Sequence, residues 1–142
     1  MNLKKIILYK EPAISEINTE LLTEFLEEKF PIKVEIRNNV FKEFSLEDIK
    51  KLSNIRITDI KNPFSEHKSS DDEIEFEKKL CEDSSVMNST TKVENAQEIS
   101  EVFMYDGFEL QKILRYLNKD NEVLHIILTN RLTCTFDEND KR

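Results

Sequence analysis

Gly107 is the only glycine in the 142 residues of this chain, and this fact excludes several classes of nucleotide-binding and catalytic site. Phosphate-binding loops need several glycines, because only a backbone without side chains can approach the anion closely. Neither GxGxxG nor GxxxxGK[ST] can be written with one glycine, and the GxSxG nucleophile elbow is excluded for the same reason. The chain therefore belongs to neither the Rossmann nor the P-loop nucleotide enzymes.

Acidic charge is concentrated in one part of the chain. The formal net charge is −8, and residues 65–98 contribute −6 of it through ten acidic and four basic side chains. The remainder is near neutral and holds no basic cluster that would attract nucleic acid or an anionic membrane. We therefore expect one domain over residues 1–142, interrupted at 65–98 by an acidic, largely flexible insert.

The apolar runs and the two cysteines bear on localisation. No apolar run is long enough to span a bilayer or to form a signal peptide. A chain without a secretory signal keeps its thiols reduced by default, and we expect this of Cys81 and Cys134. The sequence thus predicts a cytoplasmic protein.

Apolar periodicity and capping residues predict alternating strands and helices. Helices are expected after three N-cap residues, Asn18, Ser45 and Asp106. Within the insert, Ile74, Phe76 and Leu80 are compatible with either a strand or a short helix packed on the domain. Strands are expected at 4–9, 33–37, 55–60, 101–106, 123–129 and 132–136. This order favours a three-layer α/β fold with a mainly parallel sheet of four to five strands.

Two segments carry definite expectations about burial. The first helix places Leu21, Leu22, Phe25 and Leu26 at helical spacing, which predicts one buried stripe. The run VLHIILT at 123–129 is the most strand-like segment, and strands of parallel sheets are covered on both faces. We therefore expect both of its faces to be buried.

Candidate ligand-binding residues follow from the predicted topology. In open α/β sheets, ligands bind beyond the carboxyl ends of the strands. His125 is either a hydrogen-bonded core residue or one that faces a cleft. Arg131 could bind a carboxylate with two hydrogen bonds, or it could be a turn residue paired with Asp137 or Glu138. The candidates are Tyr105, Asp106, His125, Asn130 and Arg131.

Metal-binding and nucleophilic residues show no catalytic pattern. A zinc site usually has two ligands at short spacing on one element. No two of the possible His and Cys ligands are that close, and neither HExxH nor CxxC occurs; these residues are His67, Cys81, His125 and Cys134. No Ser or Cys stands in a recognisable triad. We expect no catalytic residue, no metal ligand and no cofactor in this chain.

Two sequence motifs carry a resemblance to a known family. The string YDGFELQKILRYL, followed by VLHIILTNRLTCTFDENDKR, resembles a family of archaeal metallopeptidase-like proteins distantly related to the archaemetzincins. The opening IILYKEPAISEIN and the strand KVEIR are similar to the start of that family. The resemblance covers most of the chain outside the insert, and it implies a metzincin-like N-terminal half.

The resemblance also implies what this chain lacks. In that family a zinc-binding HExxH helix is expected in the second half of the domain, after the strands seen here. The resemblance therefore carries over the sheet and the upper wall of a peptide-binding cleft, but no zinc ligand and no general base. Zinc is implied only if a downstream HExxH segment exists, and this chain alone is expected to be inactive.

Two functions from different classes remain open. The first is the non-catalytic N-terminal portion of a metallopeptidase-like protein. The alternative is a small cytosolic protein-interaction module that uses the acidic insert or an exposed sheet edge. Both predict a peptide or protein as partner, with neither nucleic acid nor membrane involved.

Overall fold

The computed structural model describes residues 2–59, 61–63, 65–83 and 104–135, and this part of the chain is a mixed α/β structure, as predicted. In chain order its elements are β1 (Lys5–Lys10), α1 (Thr19–Lys29), β2 (Lys33–Arg37), α2 (Leu46–Asn54), α3 (Asp71–Glu82), β3 (Met104–Asp106), α4 (Gly107–Leu114), β4 (Val123–Leu128) and β5 (Leu132–Cys134). Short 3-10 helices at Val40–Glu43 and Arg115–Leu117 follow β2 and α4. The predictions for residues 84–98, 101–103 and 136–142 lie outside the described residues.

The larger sheet is parallel, with the strand order β2-β1-β4. Ile6 of β1 is in register with Val34 of β2 and Leu124 of β4. Ile7 and Tyr9 pack in one core cluster and Ile6 and Leu8 in another, so the apolar run of β1 is covered on both faces. Its four central residues, Ile6, Ile7, Leu8 and Tyr9, are accordingly buried.

The remaining strands form a separate sheet. β3 and β5 pair in parallel, so the parallel prediction is confirmed, but the five strands are divided between two sheets. Where a strand was predicted at 55–60, the described residues form an isolated antiparallel bridge, between Arg56 and Tyr105. There, Ile57 N donates to the carbonyl of Met104 at 2.7 Å.

Local capping chemistry positions the helices as predicted. The Asn18 side chain accepts hydrogen bonds from the first turn of α1, at Glu20 N and Leu21 N. Ser45 and Asp48 form a reciprocal capping box at the start of α2. These side chains satisfy amide groups that have no partner within the helix, which fixes where each helix begins.

The first half of the predicted insert is a packed helix. α3 begins at a second capping box, formed by Ser70 and Glu73. It buries three side chains, Glu77, Leu80 and Cys81, against the rest of the described structure. Of the two alternatives for the first half of the insert, a strand or a short helix packed on the domain, residues 71–82 form the helix, and it contributes to the main core.

Two of the burial expectations are also wrong. In α1, Leu22 and Leu26 pack against the sheet, whereas Leu21 is 62% and Phe25 53% exposed. In β4, Leu124 is 43% exposed, and the other residues are half-buried. β4 pairs only with β1 in the described sheet, so it is an edge strand and is less covered than a central strand.

Gly107 joins β3 to α4 where the helix passes close to β5. A Cβ atom at this position would lie 3.1 Å from Cγ2 of Thr135 and 3.3 Å from the carbonyl oxygen of Cys134. Any larger residue would force one of these neighbours to move. The single glycine of the chain thus allows a close helix–strand approach.

In the part of the chain that the structure describes, no helix is both long enough and apolar enough to cross a bilayer.

Candidate functional site

Arg131 is at the centre of a buried polar cluster rather than at the surface. The residue is 4% exposed, and its guanidinium Nε donates to Oε1 of Glu11 at 3.2 Å. Its Nη1 donates to Oε1 of Glu77 at 2.6 Å and to the hydroxyl of Tyr105 at 2.9 Å. The Arg131 guanidinium thus binds two carboxylates of this chain, Glu11 and Glu77, whereas the alternative partners considered for it, Asp137 and Glu138, lie outside the described residues.

Glu77 connects a second arginine to the same cluster. Nε of Arg56 donates to Oε2 of Glu77 at 3.0 Å, and Nη2 of Arg56 donates to the same oxygen. The Tyr105 hydroxyl also donates to Oε2 of Glu77, at 2.9 Å. One carboxylate of α3 thus joins the end of α2, the strand β3 and the segment after β4.

The ionised groups of this cluster balance one another. Two guanidiniums, Arg56 and Arg131, face two carboxylates, Glu11 and Glu77, and all four residues are buried. Moving a single charge from water into a protein interior costs several kcal/mol, and this cost is offset only when the charge is paired and hydrogen-bonded. We refer to these four residues and Tyr105 as the buried charge network.

Aromatic rings surround the Arg131 guanidinium. Its Cζ lies 4.5 Å from the ring centroid of Phe41 and 5.4 Å from that of Tyr105. The negative face of an aromatic ring attracts a desolvated cation. Burial disfavours the charged guanidinium, but attraction to Tyr105, Glu77 and Glu11 prevails, so the pKa of Arg131 is raised.

Two further groups are held in their neutral forms: Cys81, which borders the network, and Tyr105, which belongs to it. Burial raises the pKa of the Cys81 thiol to about 12, although Sγ lies 3.7 Å from Nη2 of Arg131. Burial and the nearby Glu77 carboxylate also raise the pKa of Tyr105. A protonated, inaccessible thiol is a poor nucleophile, so Cys81 contributes packing and not reactivity.

The other candidate residues are placed differently. Asp106 is the N-cap of α4, where its Oδ1 accepts from Phe108 N at 2.9 Å and Glu109 N at 3.2 Å. Asn130 is half-buried, and its Oδ1 has no hydrogen-bond partner among the described residues. The structure therefore brings Tyr105 and Arg131 into direct contact but gives Asp106 a local structural role.

His125 lies apart from the network, next to the buried Tyr9. Its Nδ1 is 3.0 Å from the Tyr9 hydroxyl, and the two rings stack with centroids 5.8 Å apart. Burial and the nearby Arg37 charge lower its pKa, while a hydrogen bond with the Leu117 backbone opposes that shift. A neutral imidazole that donates to Leu117 and accepts from Tyr9 fits these contacts. Of the two alternatives for His125, these partners match a hydrogen-bonded core residue.

Three residues of the network escaped the sequence analysis. Glu77 gave one signal, because it occupies an apolar-face position of α3 between Ile74 and Cys81. A charged residue at such a position must find a buried partner. Glu11 and Arg56 gave no comparable signal, since each stands where a strand or helix gives way to a loop.

Zinc, the metal that the resemblance implies, does not fit this cluster. The two buried carboxylates already face two guanidiniums, so a divalent cation would be placed beside two positive charges. Elsewhere in the described ranges, His, Cys, Asp and Glu side chains do not gather in groups of three that could hold a metal.

Comparison with known proteins identifies the family. By its fold and its buried charge network, the protein is an α/β domain whose interior contains paired ionic groups. The chain belongs to the family described as "Probable metallopeptidase family (DUF6775)", whose model matches residues 2–142. No curated protein and no solved structure matches the chain.

Proposed function

We propose that this chain is the non-catalytic N-terminal portion of a metallopeptidase-like protein related to the archaemetzincins. It supplies the parallel sheet and the upper wall of a cleft, and it acts without a zinc-binding HExxH helix, a motif absent from the sequence. The observation that carries the proposal is the meeting of Tyr105 and Arg131 at Glu77. Tyr105 belongs to the first of the two motifs that resemble the family, and Arg131 belongs to the second.

A catalytic residue must contact its substrate, and the motif residues in the network do not meet this condition. Tyr105 is fully buried, and the Arg131 side chain has no solvent exposure. Their polar atoms are engaged by Glu11, Glu77 and each other. This arrangement supports a scaffold role for both motifs, in which they join β3 and β4 to α3.

The cleft wall is proposed at an outer strand of the larger sheet. β2 and β4 each have one partner among the described strands, β1, so each has a free edge in this part of the chain. A free edge presents amide and carbonyl groups that an extended peptide can pair with. Such a peptide is the partner that we propose.

Metal analysis and a peptidase assay test the proposal. Purified protein is equilibrated with zinc, dialysed and analysed for metal, and it is then incubated with unstructured peptide substrates. We expect no stoichiometric zinc and no hydrolysis, in the parent protein or in His125→Ala. One zinc per chain, lost in His125→Ala together with a chelator-sensitive hydrolysis, would overturn the proposal.

A second candidate function, a protein-interaction module, is favoured by apolar side chains exposed on the surface. Leu21 and Phe25 of α1 and Leu124 of β4 are examples. The two functions differ in the form of the bound partner. Binding of an extended peptide at a strand edge is abolished by methylation of the peptide's backbone amides, whereas helix docking through side chains depends on the exposed apolar residues.

A further inference from the structure

One face of the larger sheet is only partly covered by α1. Ile6 and Leu8 of β1 lie on this face, together with their register partners Leu124 and Ile126 of β4. Leu22 and Leu26 of α1 pack on it, but Leu124 stays 43% exposed. A helix packed over β4 would complete this layer of the α/β fold.

The orientation of α1 shows which of its sides borders the uncovered strand. Each residue of an α-helix is rotated by about 100° from the one before it. Glu27, which follows the packed Leu26, therefore lies on one side of the packed row, and Leu21 and Phe25, which precede Leu22 and Leu26, lie on the other side. Glu27, one position after Leu26, accepts a hydrogen bond from Val34 N of β2 at 3.2 Å. Leu21 and Phe25 therefore lie on the opposite side, towards β4.

This orientation, together with the packing of Leu22, Leu26 and Ile126 on the same core cluster, places an apolar groove between α1 and β4. Its members are Leu21, Phe25, Leu124, Ile126 and Leu128, and we call it the α1–β4 groove. Exposed apolar side chains that lie together mark docking sites, whereas apolar residues scattered singly are ordinary on a protein surface. None of its residues belongs to the buried charge network, so the groove is compatible with either proposed function.

Charge indicates what kind of partner fits. Glu20, Glu24 and Glu28 recur every four residues along the solvent side of α1, next to the groove. A second copy of this chain would bring the same acidic row to the interface and be repelled. One basic residue of α1 also borders the groove, since Nζ of Lys29 lies 5.8 Å from the centroid of the Phe25 ring, but the three glutamates outnumber it.

We propose that the α1–β4 groove binds an amphipathic helix of another protein, with an apolar stripe facing Phe25 and Leu124 and basic residues along the flank next to α1. An amphipathic helix is suited to such a groove because its side chains at i, i+3, i+4 and i+7 form one apolar face. The acidic row of α1 selects the basic flank.

Fluorescence anisotropy with two labelled synthetic helices tests this assignment. Both helices carry leucines at i, i+3, i+4 and i+7; one has lysines along a flank and the other has glutamates there. The protein variants are Phe25→Ser and Leu124→Ser in the groove. The matched control is Ile36→Ser, since Ile36 is 46% exposed on the same sheet face, on the β2 side of α1.

We expect the lysine helix to bind and the glutamate helix not to bind. Phe25→Ser and Leu124→Ser should each weaken binding by about tenfold, since apolar anchors dominate such interfaces. Ile36→Ser should leave it unchanged, and Glu24→Lys should weaken binding of the lysine helix.

Four results would overturn the proposal. They are failure of the lysine helix to bind, equal binding of both helices, an equal loss in Ile36→Ser, and a dimer in sedimentation that Phe25→Ser dissociates. The last result would assign the groove to a second copy of the chain.

Discussion

Arg131 and Glu77 are 54 positions apart in the sequence, yet Nη1 of Arg131 lies 2.6 Å from Oε1 of Glu77, and neither side chain is exposed to solvent. Because Glu77 also binds Arg56 and Tyr105, this ion pair joins α3 to the strands β3 and β4. The family motifs of this chain thus form part of its interior.

Removal of Arg131 should be strongly destabilising. Arg131→Ala leaves Glu11 without its arginine and Glu77 with only one, so the expected loss is about 3–5 kcal/mol. The control is Arg115→Ala, an exposed arginine whose loss should cost less than about 1 kcal/mol. Urea unfolding compares the two variants, and equal small losses would show that Arg131 is a surface residue in solution.

The central strand should be more sensitive than the edge strand. Leu8→Ala should cost about 2–5 kcal/mol, because Leu8 is fully buried in the middle of the sheet. Ile126→Ala, its register partner in β4, should cost less, because Ile126 is half-buried. Thermal and urea unfolding of both variants give the ranking, and the opposite order would place β4 inside a larger sheet.

Cys81 should be unreactive towards thiol reagents in the folded protein. Burial raises the pKa of its thiol to about 12, so almost no thiolate exists at neutral pH. The variant Cys134→Ser leaves Cys81 as the single thiol and should react only after denaturation. Rapid reaction of native Cys134→Ser would mean that α3 separates from the core.

Stability should fall when His125 becomes protonated. Its pKa is lowered from 6.5, mainly by burial, so the unfolded chain takes up the proton more readily than the folded one. The stability contributed by neutral His125 is therefore fully present above about pH 6.5 and is lost as the pH falls through the folded pKa. Compared with the parent protein, His125→Asn should lose less stability between about pH 8 and pH 5. Parallel stability curves for the two proteins would contradict this.

The starts of α1, α2 and α4 could be predicted because capping is a local interaction. Asn18, Ser45 and Asp106 each bind amides two or three residues away, so a short stretch of sequence contains the whole arrangement. The parallel strands were predictable for a similar reason, from apolar runs that alternate with helices.

The buried charge network could not be predicted in this way. Glu11 and Arg131 are 120 positions apart, and nothing near either residue identifies the other. Which strand is central also depends on distant pairing, and for this reason β4 was expected to be more buried than it is. In the insert, the spacing of Ile74, Phe76 and Leu80 left strand and helix open, and the capping box that starts α3 at Ser70 was not recognised.

The most direct test of the account is a double-mutant cycle on Arg131 and Glu77. Urea unfolding is measured for Arg131→Met, Glu77→Leu, the double variant and the parent protein. We expect each single variant to be strongly destabilised and the double variant to lose less than the sum, with a coupling of about 1–3 kcal/mol. Small single losses that simply add would contradict the claim that this buried pair holds the two family motifs in place.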